Sequence, residues 1–126
     1  MYVLPQEIEV WYIIPALRRD ISKTLSKEYG VSYEKIGKLL GVTKAAVSQY
    51  INHKRADKIK LHEKIDFEVD KSCKRIFDSK SDALSEIQRI LKLIHSKGLH
   101  CEVCGGKVNG VHEDCKQVVA KYGELG

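Results

Sequence analysis

Apolar residues recur at helical intervals along most of the chain, and short polar or glycine-containing breaks separate the runs. Leu17, Ile21 and Leu25 stand at i, i+4 and i+8, one stripe of a helix that the pattern carries over residues 15–29. Pro15 fits the first turn of that helix, and Pro5 fits the first turn of an earlier one reaching residue 14. Gly30 follows as a stop signal. Ser32 is an N-cap for a helix over residues 33–40, and Gly41 ends it. Thr43 then caps a helix over residues 44–53, and a basic, polar stretch (54–58) follows. Leu61, Ile65, Val69, Cys73 and Ile76 share one face of a predicted helix over residues 61–77. Residues 79–82 form a break rich in capping side chains. The helix predicted over residues 83–96 presents Leu84, Ile87, Leu91 and Ile94 as its stripe and stops at Lys97 and Gly98. The pattern predicts an all-α fold. After residue 98 the pattern changes. Two close cysteines come first, and Asn109-Gly110 marks a turn that allows a small hairpin over residues 104–111. A short helix over residues 111–122 follows.

Residues 31–52 have the make-up of a helix-turn-helix. Two short helices meeting near a right angle need small residues where they cross, which Gly37 and Ala46 supply. The tight turn needs a residue tolerant of positive φ, which Gly41 supplies. Ile36, Leu40, Val42, Val47 and Ile51 fall where side chains fill the wedge between the helices. Thr43 caps the second helix, so that helix's first amides can face a phosphate. The opposite face presents Lys44, Ala45, Ser48, Gln49 and Asn52. Lys44 suits guanine acceptors, Gln49 suits adenine, and Ala45 can meet a thymine methyl in the major groove. Asn52, His53, Lys54 and Arg55 are better placed for phosphates, which set register without reading sequence. The bland alternative is a helical hairpin with a solvated polar face. Each feature alone is common in such hairpins; the combination at this spacing is not.

Charge strengthens this picture. The chain of 126 residues is 43% hydrophobic and 31% charged, in the globular range, with a net charge of +5. Residues 1–60 hold 11 Lys/Arg against 6 Asp/Glu, whereas residues 61–126 hold 11 of each. The whole excess lies in the half that carries the motif, as a polyanion partner requires.

The run from Gly41 through Val42, Thr43, Lys44, Ala45, Ala46, Val47, Ser48 and Gln49 to Tyr50, behind a segment containing Pro5 and Pro15, resembles archaeal transcription regulators of the Xre type. The resemblance covers about residues 4–56. It implies a lambda-repressor-like bundle of four or five helices that binds operator DNA as a dimer. Residues 1–58 are accordingly expected to be a DNA-binding domain; the pattern along the rest of the chain, and not the resemblance, makes 59–98 a helical linker or dimerisation region and 99–126 a small Cys-rich metal-binding module.

Three of the four cysteines lie within fifteen residues, which in a cytosolic chain points to metal or redox chemistry before structural disulfides. Cys101 and Cys104, followed by Gly105, have the form of a zinc knuckle, and His112 and Cys115 stand three apart at the start of the last predicted helix. Under this reading Cys101, Cys104, His112 and Cys115 hold Zn²⁺ in a treble clef. A second reading replaces His112 by Cys73, and four thiolates then suit an iron–sulfur cluster as well as zinc. Reduced thiols without a metal, or a disulfide between Cys101 and Cys104, are the simpler alternatives. Residue types alone leave zinc and iron–sulfur both open.

The expected function is sequence-specific DNA binding by a transcription regulator, a homodimer on double-stranded operator DNA, with one metal centre per chain. A different class is an antitoxin-like module that holds an unidentified protein partner and represses its own operon. No nucleophile–base pair, phosphate-cradling glycine loop or carboxylate constellation points to an enzyme. No apolar run approaches the ~20 residues that span a membrane, and the start of the chain lacks a signal-peptide pattern. A cytoplasmic location is expected.

Overall fold

The computed structural model describes residues 5–52, 54, 61 and 63–97. Every regular element among them is helical: α1 (Pro5–Ile8), a π-helical segment (Glu9–Ile13), α2 (Ile14–Lys27), α3 (Tyr33–Leu40), α4 (Lys44–Ile51), α5 (Glu63–Phe77) and α6 (Ala83–Lys97). The all-α class read from periodicity is the one observed. The hairpin and short helix expected within residues 99–126 lie outside the described residues.

The first expected boundary, at residues 14–15, is not a loop. Pro15 has no N–H, and its ring crowds the carbonyl four residues earlier. The chain meets this by widening into a π segment just before the proline, then resumes as α-helix with Pro15 in its first turn. Within the π segment Glu9 and Ile13 are buried, while Val10 and Trp11 are exposed.

α2 is the central helix. Leu17, Ile21 and Leu25 are wholly buried, together with Ile13 and Ala16, and α3, α4 and α5 all pack against this helix. Each such aliphatic side chain stabilises the fold by roughly 1.5–3 kcal/mol relative to an exposed one. α5 adds Ile65, Val69, Cys73 and Ile76 to the same core, with Leu61 just before it. The stripes of α5 and α6, which the sequence offers equally to a dimer partner or to the chain itself, are thus buried within the chain. One expected stripe residue is displaced: Leu84 is 73% exposed, and Ala83, Ile87, Ile90 and Ile94 line the core side of α6, with Leu91 beside them. Leu84 stands about 100° around the helix from the buried Ala83, which turns it from the core side toward solvent. The rings of Tyr29 and Phe77, 4.8 Å apart, join the ends of α2 and α5.

The turn between α5 and α6 closes with hydrogen bonds from the Lys80 N–H to the Arg75 carbonyl (2.9 Å) and from the Ser79 N–H to the Ile76 carbonyl (3.1 Å). Ser79 takes the left-handed conformation, φ 57°, that this motif requires. Asp82 then caps α6 by accepting the Ser85 N–H at 2.7 Å.

A polar network fastens α5 to α6. Arg89 donates to the Glu68 carboxylate (2.7 Å), the Ser72 hydroxyl (3.0 Å) and the Glu86 carboxylate (3.3 Å), and Arg75 reaches Glu86 at 3.2 Å. The Arg89 hydrogen bond holds the Glu68 carboxyl below the usual range. Burial pushes Glu86 up, but hydrogen bonds from Ser81 and Ser72 and the nearby Arg89 charge outweigh it, so Glu86 is also lowered. The His95 imidazole pairs with the Glu9 carboxylate and ties the last turns of α6 to the π segment.

Because both glutamates are lowered in the folded chain, the unfolded chain binds more protons in acid. Their contribution is complete above the ordinary value of 4.5 and fades as pH falls through the lower folded values. Arg89→Met should lower the unfolding free energy at neutral pH by about 1–3 kcal/mol, less than for a fully buried pair because Arg89 is partly exposed. Urea titrations from pH 7 down to pH ~3 should also show a flatter acid slope in the variant than in the wild type. An unchanged slope would show that other carboxyls dominate.

Candidate nucleic-acid interface

α3 and α4 are short because each is delimited by its own sequence. The Ser32 hydroxyl accepts the Lys35 N–H at 3.2 Å and starts α3, and the Thr43 hydroxyl accepts the Ala46 N–H at 3.0 Å and starts α4. Between them Gly41 is left-handed, φ 71°, a conformation that costs an L-residue roughly 1–2 kcal/mol. The Val42 N–H closes the turn onto the Gly37 carbonyl at 2.9 Å.

Gly37 is the tightest point of this pair. A Cβ built there would lie 2.7 Å from the Val42 carbonyl oxygen and 3.4 Å from the Thr43 carbonyl carbon. The small residue expected at the crossing is therefore needed chiefly because the backbone of the turn lies directly on it. Ile36 and Val47 fill the wedge and are wholly buried, while Leu40, Val42 and Ile51 are half-buried against the same core. Ala46 is buried as expected. Tyr50 is buried as well and was not among the expected core residues, although its place three and four residues after Val47 and Ala46 marks it as inward.

With Ala46, Val47 and Tyr50 turned inward and Ile51 half-buried against the core, the remaining residues of α4 face out. Thr43, Lys44, Ala45, Asn52 and Lys54 are exposed, and Ser48 and Gln49 are half-buried. The face thus presents an ammonium, a methyl, a hydroxyl and a carboxamide along a helix of eight residues, about 12 Å long, comparable to the width of a major groove, with the Asn52 carboxamide at its C-cap. The Asn52 carboxamide donates to the Ser48 hydroxyl at 3.2 Å, a local engagement that spacing alone does not reveal. The Lys54 N–H is held by the Gln49 carbonyl at 2.8 Å, which fixes the backbone leaving α4. His53 and Arg55, the other expected phosphate contacts, lie outside the described residues.

Of the expected metal ligands, Cys101, Cys104, His112 and Cys115 lie outside the described residues. Cys73 sits at the centre of the core with no exposed surface, its thiol 3.9 Å from the Ile21 carbonyl oxygen. Burial, with the charges of Asp70 and Glu28 adding to it, pushes its pKa up to about 12. Among the described residues, no group of three or more His, Cys, Asp or Glu side chains could hold a metal ion, and no helix is long and apolar enough to cross a membrane.

No protein-family model, curated protein or solved structure matches the chain.

The contact at Gly37 gives a direct test of this geometry. Gly37→Ala should destabilise the chain by about 1–3 kcal/mol, because the atom in the way is backbone and cannot rotate aside. Thermal or urea unfolding measures this. A variant as stable as the wild type would mean that the turn does not rest on residue 37.

Proposed function

We propose that the chain is a sequence-specific DNA-binding transcription regulator that acts as a homodimer on a pseudo-palindromic operator. The observation that carries this reading is the division of α4. One side is locked into the core by Ala46, Val47 and Tyr50, and the other offers Lys44, Ala45, Ser48 and Gln49 outward on a capped helix. Apolar anchoring on one face and mixed donors, acceptors and a methyl on the other are what reading base edges demands. The concentration of positive charge in residues 1–60 supports the same partner. The stripes of α5 and α6 are occupied within the chain, so a second copy would meet a different surface.

The tail is proposed to hold one metal ion through Cys101, Cys104 and Cys115, with His112 as fourth ligand. The burial of Cys73 supports this set over the one that includes it. A metal needs the thiolate, and both the position of Cys73 and its raised pKa oppose that form. Zinc, which takes mixed sulfur and nitrogen ligands, then suits the residues better than an iron–sulfur cluster with four thiolates. Its chemistry would be structural, holding the tail in one conformation.

Selection from a randomised duplex pool should yield an enriched motif with the wild-type chain. Lys44→Ala or Gln49→Ala should relax base preference by about 1–3 kcal/mol at one position each. Arg55→Ala should instead weaken binding to all sequences and lower the salt dependence by about one unit of slope. Equal losses on specific and random DNA for all three variants would overturn the assignment of α4 as the reading helix.

Elemental analysis of protein purified without oxygen should find about one zinc per chain, retained in Cys73→Ala and lost in His112→Ala. A brown protein containing iron and sulfide, bleached by Cys73→Ala, would reverse the ligand assignment.

A further inference from the structure

Ser48 stands in the middle of the outward face of α4, and a serine hydroxyl is by itself an ambiguous reader. It can donate to a base acceptor or accept from a base amino group, so it discriminates poorly between base pairs. Asn52 narrows that ambiguity in this chain. Its backbone N–H donates to the Ser48 carbonyl at 2.9 Å, which seats Asn52 on the end of the helix. From that seat its carboxamide nitrogen donates to the Ser48 hydroxyl oxygen at 3.2 Å. One of the two lone pairs of the hydroxyl oxygen is thus engaged by Asn52, which leaves the proton and a single lone pair to face outward and tilts Ser48 toward donation.

We propose that Asn52 is a positioning residue that biases Ser48 toward hydrogen-bond donation to the DNA, and so sets a base preference at one base pair of each half-site. The proposal rests on the DNA-reading function above. It replaces the phosphate contact expected of Asn52 by a role in sequence discrimination. The base edges that best match a donor are guanine, through O6 and N7, and thymine, through O4; adenine offers N7 alone beside its amino group, and the amino group of cytosine is disfavoured.

The test is selection from a randomised duplex pool with the wild type and with Asn52→Ala, Asn52→Asp and Ser48→Ala. Both altered residues lie on the solvent-facing side of α4, and unchanged thermal unfolding checks that the variants keep the fold. Asn52→Ala should lose a roughly three- to tenfold preference at a single base pair, the value of one net hydrogen bond, and leave the rest of the motif intact. Ser48→Ala should flatten the same position, and adding Asn52→Ala to it should change that position no further. Asn52→Asp is the decisive variant. A carboxylate accepts the serine proton and leaves the hydroxyl oxygen facing outward as an acceptor. The preferred base there should move toward one presenting an amino group, cytosine or adenine, while overall affinity falls from the added negative charge. A motif unchanged by Asn52→Ala would overturn the proposal, as would a loss spread evenly over all sequences, which is the signature of a phosphate contact. A wild-type chain that enriches no motif would overturn the DNA-reading function itself, and that result differs from either of the others.

Discussion

The burial of one face of α2 is the constraint on which the other elements depend. A single helix cannot hide Leu17, Ile21 and Leu25 by itself, and α3, α4 and α5 are the surfaces that cover it. Two consequences follow from sharing one helix. The geometry of the α3–α4 pair is fixed by the same side chains that fix α5, and the pair has no hydrophobic core of its own. α6 closes the arrangement by packing on α5 and touching α3, so the α5–α6 hairpin braces α2, the helix on which α3 and α4 rest. A change in α6 therefore has a physical route to α3 through packed aliphatic side chains, although none of its residues belongs to the outward face of α4.

Against that apolar frame the polar interactions act locally. The caps at Ser32, Thr43 and Asp82 decide where helices begin, and the left-handed residues Gly41 and Ser79 decide where the chain reverses. The Arg89 network differs in kind because it joins two elements. Its partners Glu68 and Ser72 lie one turn apart on α5 and Glu86 lies on α6, so it fixes how far one helix has slid along the other. Aliphatic stripes tolerate small slips; a guanidinium held by three oxygen acceptors does not.

Most of the frame was legible in the sequence because it rests on periodicity and capping, both of which are local. The stripes of α2 and α5, the caps and the Gly37–Gly41 turn all follow from residue type and spacing. What escaped depends on contacts between elements far apart in sequence. Leu84 reads as a stripe residue, yet the first turn of α6 buries Ala83 and leaves Leu84 in solvent. Cys73 reads equally as a ligand or a core residue, and only the packing of α5 on α2 decides that its thiol faces Ile21. The outward residues of α4 were legible as a set. The hydrogen bond from Asn52 to Ser48 was not, because a face assignment says which side chains are neighbours and not which of them are engaged.

The π segment at Glu9–Ile13 shows how a helical pattern can be right in kind and wrong in phase. Counting back from Leu17 along an unbroken α-helix brings Val10 to the buried face, seven residues away. In the structure Glu9 takes that place at 7% exposure and meets His95, while Val10 is 61% exposed. The segment behaves as a one-residue insertion absorbed inside a helix, and everything before it is turned by the angle of one residue. In evolutionary terms this makes residues 9–13 a natural point for length change. A chain one residue shorter here could run as ordinary α-helix from residue 5 onward, with valine rather than glutamate turned inward. It would give up the link from this segment to the end of α6 for an uninterrupted apolar stripe.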